Sequence, residues 1–366
     1  MRIAVYAVLA WMCLAVQPTC AQSYRAAARF WKDVQAVCDA TAAAPARDVG
    51  RRIAKTAIDE FEAFGGHRID SNGRLFSFGL TEAQQGKDDG DGGPASFGQL
   101  GWWRVMTYWR ALYGNDVADK LEVLGYRDAS TGTEQAHVAP LLRATAGQLL
   151  RAADDASDAR VREVLREAAL RAAIIDTPWS AAFVSYAIRQ AGVPADAFPF
   201  ANAHRAYIYA AFATSAAELT GTGGSALYRA CPLATTRPRV GDLICEQREP
   251  ALADTSAEAV RERIRIDLAG GTGAHSVQRT HCEIVAHIDR RARKVYSIGG
   301  NDQQGVAAKK LNLRGRRQTL SAAQGRCDGP ARWALPDHPD DRPGARGLPR
   351  RCSLNDKNWF VLLQVR

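Results

Sequence analysis

Beyond its first 21 residues the sequence lacks any apolar run of the roughly 20 residues that a membrane-spanning helix needs, so no integral membrane segment is expected in the processed chain. It has no HExxH, no paired CxxC, and no glutamate where an EF-hand loop would place one after Asp88-Asp89-Gly90-Asp91-Gly92-Gly93. No metal or other cofactor is therefore expected, and that acidic run reads as a solvated turn. No nucleic-acid-binding motif, internal repeat or low-complexity linker is present. The formal net charge of +9 then points to anionic partners met outside the cytoplasm, such as wall polymers or lipid headgroups, rather than to nucleic acid.

The chain opens with Arg2, an apolar run from Ile3 to Val16, and the small-residue site Thr19-Cys20-Ala21. This pattern predicts a secretory signal peptide over 1–21, cleaved after Ala21, and a periplasmic or secreted protein. Two of the eight cysteines lie in that leader, leaving Cys38, Cys231, Cys245, Cys282, Cys327 and Cys352. An even number in an exported chain favours disulfides, although six cysteines allow 15 pairings. Cys245 and Cys282 lie in strand-like runs that could be neighbours, and Cys327 with Cys352 would close a Pro/Arg/Asp-rich excursion. Cys38 with Cys231 is the remaining pair.

Helical spacing is expected from about 24 to 44 and from 48 to 64, the second helix stopping at Gly65-Gly66. Residues 67–98 read as loop, and Trp102, Trp103, Val105, Met106, Trp109 and Leu112 form one apolar, core-type helix. Two surface helices are expected within 127–170, a buried helix over 178–190, and a further helix carrying His204, Tyr207, Tyr209 and Phe212. Beyond Pro238 the period changes to two, predicting strands at 241–246, 283–288, 294–298, 308–313 and 359–365. Helices followed by strands argue for an α+β domain over 46–366, with insertions at about 127–170, 251–280 and 315–355 and a helical extension over 22–45.

The chemistry-bearing stretch is Asp176-Thr177-Pro178-Trp179-Ser180. With Thr177 as N-cap and Pro178 at the first helical position, Ser180 falls at the third. It is then near unpaired backbone N–H groups and the positive end of the helix dipole, a setting that suits an anion or a nucleophile. His204, Glu60 and Asp242 read first as structural hydrogen-bonding residues, and His287 as a solvated strand residue. Alternation along the strand sends Cys282 to the face opposite His281.

Four segments carry a resemblance: Pro178-Trp179-Ser180-Ala181-Ala182-Phe183-Val184, Gly241-Asp242-Leu243-Ile244, His281-Cys282-Glu283-Ile284-Val285, and Gly299-Gly300-Asn301. Together they resemble the NlpC/CHAP-type papain-like peptidases, and more closely a bacterial family of unassigned function with this Ser-containing motif; Glu60-Phe61 to Gly65-Gly66 and Tyr108-Trp109 also fit it. The resemblance covers roughly 50–365 and implies helices on a small antiparallel sheet or half-barrel. It also implies a nucleophile at Ser180 where the enzymes have Cys, a base at His281, and an orienting residue at Asn301, with Asp302 as the neighbouring alternative. The implied activity is hydrolysis of an amide bond in cell-wall peptide, with peptidoglycan as partner. A non-catalytic wall-binding module is the alternative of a different class, and an acyl transferase or lipid-ester hydrolase is a third. A hydroxyl is far less acidic than a thiol, so Ser180 needs a positioned base.

Overall fold

Alternating apolar residues beyond Pro238 build a sheet that is covered on both faces, and everything else in the chain is arranged around it. The computed structural model describes residues 17–69, 75–83, 101–127, 139–222, 225–252, 255–271, 273, 275–320 and 354–366. The leader segment 1–16, the acidic run 88–93 and the pair Cys327 and Cys352 lie outside the described residues.

The helices are α1 (Gln17–Ala42), α2 (Asp48–Ala63), α3 (Gly101–Tyr113), α4 (Ala146–Asp154), α5 (Ala159–Asp176), α6 (Ser180–Gln190), α7 (His204–Leu219) and α8 (Ala257–Ala269). The strands are β1 (His67–Ile69), β2 (Leu75–Ser77), β3 (Glu122–Arg127), β4 (Ala139–Thr145), β5 (Tyr228–Pro232), β6 (Leu243–Gln247), β7 (Thr280–Asp289), β8 (Lys294–Asp302), β9 (Gly305–Arg314), β10 (Thr319–Leu320) and β11 (Trp359–Val365). The main sheet has nine strands in the order β2-β1-β9-β8-β7-β6-β11-β5, with β10 paired to β9, while β3 and β4 form a separate ribbon. The fold is thus mixed α and β, as expected, but the sheet is neither small nor wholly antiparallel: β1 runs parallel to β9.

Residues 67–69 and 75–77, expected as loop, are strands because β1 finds a partner in the edge of β9 that no local pattern announces, and β2 then pairs with β1. Strands β3, β4 and β5 are also outside the expected set: β3 and β4 pair with each other in the separate ribbon, and β5 pairs with the distant β11. Of the stretch 127–170 expected to hold two helices, the later part forms α4 and α5 whereas 139–145 is strand β4, and α8 occupies the expected insertion at 251–280.

Strand alternation divides the core. Cys282, Ile284 and Ala286 of β7, with Ile298 and Val306, join Ile53, Tyr108, Phe183 and Ile208 from the helices. On the other face Val285, Val295, Ala307, Leu311 and Leu362 meet Val34 and Cys38 of α1. Every residue of β11 is buried, which fits its largely apolar run from Trp359 to Leu363 and its place between β6 and β5.

Two of the expected disulfides are present. Cys245 and Cys282 stand directly opposite on β6 and β7, and Cys38 ties α1 to Cys231 of β5. Cys38 and Cys231 are 193 residues apart and Cys245 and Cys282 are 37 apart, closures worth about 5 and about 4 kcal/mol in the loop-entropy account. Replacing Cys38 and Cys231 together by Ala should therefore lower the midpoint of thermal unfolding under non-reducing conditions more than replacing Cys245 and Cys282. A reversed order would mean that loop closure is not the controlling term.

Candidate functional site

Helix α6 begins two residues later than its sequence suggests. Thr177 closes α5, its N–H donating to the Ala173 carbonyl at 3.0 Å, and its hydroxyl is engaged by the backbone of Glu122. It cannot also cap α6, so Ser180 is the first helical residue rather than the third. Trp179 precedes it fully buried, stacked on Phe64 at 6.0 Å between ring centroids and tilted against Tyr108. This aromatic anchor fixes the half-buried Ser180 at the helix start. The first intrahelical bond runs from the Phe183 N–H to the Trp179 carbonyl, so the N–H groups of residues 180–182 precede the helical ladder.

The partner of Ser180 is His204 at the start of α7: Ser180 Oγ lies 2.7 Å from His204 Nε2. His204 is buried, and burial, followed by the nearness of His281, holds its imidazole well below the usual histidine range. The ring is therefore neutral. Its Nδ1 receives the Cys282 backbone N–H at 3.2 Å and also meets the Tyr207 hydroxyl one helical turn along. A backbone N–H can only donate, so Nδ1 is the unprotonated nitrogen and the resting ring carries its proton on Nε2. Nε2–H then donates to Ser180 Oγ, leaving the serine proton free to point elsewhere.

His281 is on β7 as expected, but it shares the sheet face of Glu283 and Val285, whereas Cys282 and Ile284 face the core that contains α6. The His281 and His204 rings are 5.0 Å apart, edge to face. Among the described residues no hydrogen bond joins His281 to Ser180, and neither ring nitrogen of His281 has a hydrogen-bond partner. Its Nε2 is 3.4 Å from Asp302 Oδ2 and 3.6 Å from Glu283 Oε1. Of the two residues considered for orienting His281, Asp302 is therefore the neighbour. Asn301 instead donates from Nδ2 to Glu82 Oε2 at 3.1 Å, and Trp179 Nε1 donates to the same oxygen.

The Gly-Gly pair before Asn301 has a steric reason. A Cβ on Gly300 would come within 2.6 Å of Phe183, and one on Gly299 within 3.2 Å of His281 Nε2 and 2.5 Å of Asp302 Oδ2. One glycine thus lets α6 rest on the sheet, and the other leaves room for the polar cluster beneath it. Asn301 itself has φ of +57°, a left-handed conformation that Asn tolerates better than most side chains.

His281, Glu283 and Asp302 bring ligand-type atoms within 4.8 Å of one another, a donor set that could hold a cation. Lys309 of β9 already supplies one: its Nζ is 2.9 Å from Asp302 Oδ2 and bonds Glu283 Oε1. Burial opposes the charges in this cluster, but the ammonium beside them holds both carboxyls below the usual carboxylate range, and the carboxylates in turn raise Lys309. Arg248 and Lys357 close the network through Glu246. The other expected candidates are apart from this cluster: His287 is exposed beside Tyr296, and Asp242 is buried, accepting from the N–H groups of Arg239 and Val365. Glu60 is structural as well, taking bonds from Tyr108 and Arg104.

His204 had a local signal in Tyr207, three residues on along the helix, although nothing in the spacing ranks it above His281. Glu82 and Lys309 carried none, because their partners lie on distant strands. Replacing Lys309 by Met would remove the ammonium between Glu283 and Asp302 and leave Asp302 the longer 3.9 Å contact to Arg248, with an expected loss of about 3–5 kcal/mol in urea unfolding. A loss below about 1 kcal/mol would show that another group neutralises them.

Burial also pushes the Glu82 carboxyl up to about 7 from an ordinary 4.5, against the opposing bond from Trp179. Because the folded-state value is raised, the stabilisation from Glu82 is fully present below about pH 4.5 and is lost as the pH climbs through about 7. Glu82→Gln keeps an oxygen acceptor for Trp179 and Asn301, and it should shrink the fall in stability between pH 5 and pH 8 by up to about 3 kcal/mol. Parallel urea titrations of the two proteins at each pH check this; identical curves would refute it.

No curated protein and no solved structure gives a significant match to the chain. A family match covers Ser180, His204, His281, Asn301 and Lys309 and begins after Glu82. It spans residues 97–365, most of the chain, which thus belongs to the family described as an uncharacterized protein conserved in bacteria (DUF2272).

Proposed function

We propose that this chain is an exported, papain-like-fold serine hydrolase acting on an amide bond of cell-wall peptide, with Ser180 as nucleophile and His204 as its proton acceptor. The observation that carries the reading is the 2.7 Å contact between Ser180 Oγ and His204 Nε2 at the start of a buried helix. The substrate class is supported by the four-motif resemblance to the NlpC/CHAP-type enzymes and by the export-type leader.

The resting tautomer sets the cost of this chemistry. For Nε2 to take the serine proton, the ring's own proton must sit on Nδ1 and be donated in a hydrogen bond to the Tyr207 oxygen, and the Cys282 N–H then loses its acceptor. Leaving one buried donor unsatisfied costs about 1–3 kcal/mol, roughly a ten- to hundredfold reduction in rate. That is small beside the million-fold or greater accelerations of hydrolases. Tyr207 is thus the positioning residue that makes the reactive tautomer accessible.

In the proposed cycle, Ser180 Oγ attacks the carbonyl carbon as its proton passes to Nε2, and the first-turn N–H groups of α6 face the oxyanion. Collapse of the intermediate breaks the C–N bond, and the amine leaves with the proton from Nε2. Water then hydrolyses the acyl-serine by the same route.

A second reading is favoured by the Cys282 N–H donating to Nδ1: a non-catalytic wall-binding module in which Ser180 only accepts from His204. A fluorophosphonate probe followed by mass spectrometry separates the two, alongside assay of soluble fragments released from purified peptidoglycan. Catalysis predicts an adduct on Ser180, lost in Ser180→Ala and cut at least about a hundredfold in His204→Ala, with fragment release following the same order. Tyr207→Phe should lower the rate and move its pH profile, a change that packing alone would not produce. A folded wild-type protein that sediments with peptidoglycan, forms no adduct and releases nothing would sink the hydrolase and leave the binding module.

A further inference from the structure

Where α1 ends and the chain turns toward α2, a pocket of about 290 Å³ opens beside Ala46, Val240 and Ile288. Three guanidinium groups line it, from Arg237, Arg239 and Arg290, and no acidic side chain among the described residues does so. None of its lining belongs to the Ser180 site.

The three arginines are not equivalent. Arg239 is committed to holding the fold, since its guanidinium donates to the Thr41 carbonyl at the end of α1 at 3.0 Å and to the Val365 carbonyl. Arg290 donates from one Nη to the Pro238 carbonyl at 2.7 Å, while its other Nη is buried without a partner among the described residues. The Arg237 guanidinium makes no hydrogen bond or ion pair among the described residues, and its Nε is also buried. The Asp242 carboxyl, which acts on Arg290, is occupied by the N–H groups of Arg239 and Val365, and burial pushes it up to about 7.

Like charges held together without a counterion are unfavourable, and the arginines register this. Burial, and then the Arg237 charge, bring Arg290 down to about 10. A fold that only needed to cap α1 would require Arg239 alone. Two more guanidinium groups on the same pocket supply what a bound anion needs: fixed positive charge and donor atoms with no other use. They come from different segments, 237–239 before β6 and 290 after β7, so they approach from different directions. A tetrahedral oxyanion offers acceptors in several directions, whereas a carboxylate offers them in one plane.

We propose that this pocket is an anion site that takes a phosphate-type oxyanion through Arg237 and Arg290, with Arg239 adding charge from its place behind them. The ligand chemistry is a phosphate group, either free in solution or carried as a lipid headgroup.

The test uses the full processed chain and inorganic phosphate, compared with chloride at matched ionic strength. Phosphate should raise the thermal midpoint of the wild-type protein in a saturable way. Arg237→Gln and Arg290→Gln should each weaken that binding about ten- to a hundredfold. Without ligand, Arg237→Gln should leave the midpoint unchanged or raise it, because the arginine loses no partner and a repulsion is relieved; this separates a ligand role from a structural one. Sedimentation with phosphatidylglycerol vesicles, against phosphatidylcholine vesicles as control, distinguishes the sources. Binding to the anionic vesicles that free phosphate competes away assigns a headgroup, and phosphate binding without sedimentation assigns a soluble phosphate. Equal stabilisation of wild type and the Arg237→Gln/Arg290→Gln double variant, or no stabilisation by phosphate, would overturn the proposal.

Discussion

Strand β7 is buried on both sides, and its alternation fixes what each half of the polar centre can become. Cys282 and Ile284 point toward the helices, whereas His281 and Glu283 point to the opposite face. A one-residue change of register would exchange these sets. The cross-strand Cys245–Cys282 bond opposes such a slip by pinning β7 to β6. The Cys282 N–H then selects the tautomer of His204, so the state of the residue beside Ser180 is set by the backbone of the strand that carries His281.

Two electrostatic environments of the polar interior meet at β7. On the helix side, His204 and Tyr207 are buried and uncharged, a short hydrogen-bond chain ending at Ser180. On the other side, Glu246, Glu283 and Asp302 are balanced by Arg248, Lys309 and Lys357. Such a cluster is tolerable only while each charge has its counterpart, because desolvation of a single buried ion costs more than any one bond returns. Glu82 lies outside both environments. It links Trp179 at the head of α6 to Asn301 at the end of β8, and so joins the helix that carries the serine to the turn that follows the glycine pair.

Much of this architecture could be read from residue order, because the signals were local. The ends of α2, the apolar helix with Trp102 and Trp109, and the period-two runs that became β6 to β9 all follow from spacing. So does the separation of Cys282 from His281. What could not be read depends on partners far along the chain. Nothing near residues 67–69 announces the edge of β9, and nothing near Glu82 announces Trp179. The centre shows the same division: Ser180 was recognisable from its place at a helix start, but its neighbour was not. Expecting His281 there assumed that a histidine opening a strand faces the helix. The alternation of β7 turned it to the other face, and a histidine from α7 stands beside Ser180 instead.

Strand β11 lies between β6 and β5, pairing with both. The two strands it joins are separated from it by more than a hundred residues of chain, so their pairing is a long-range event that carries a large entropic cost before it gains any contact. A chain shortened before Trp359 would leave two strands with open backbone edges in the middle of the sheet, the kind of surface that recruits other chains. The sheet is therefore continuous only when β11 fills the gap between β6 and β5.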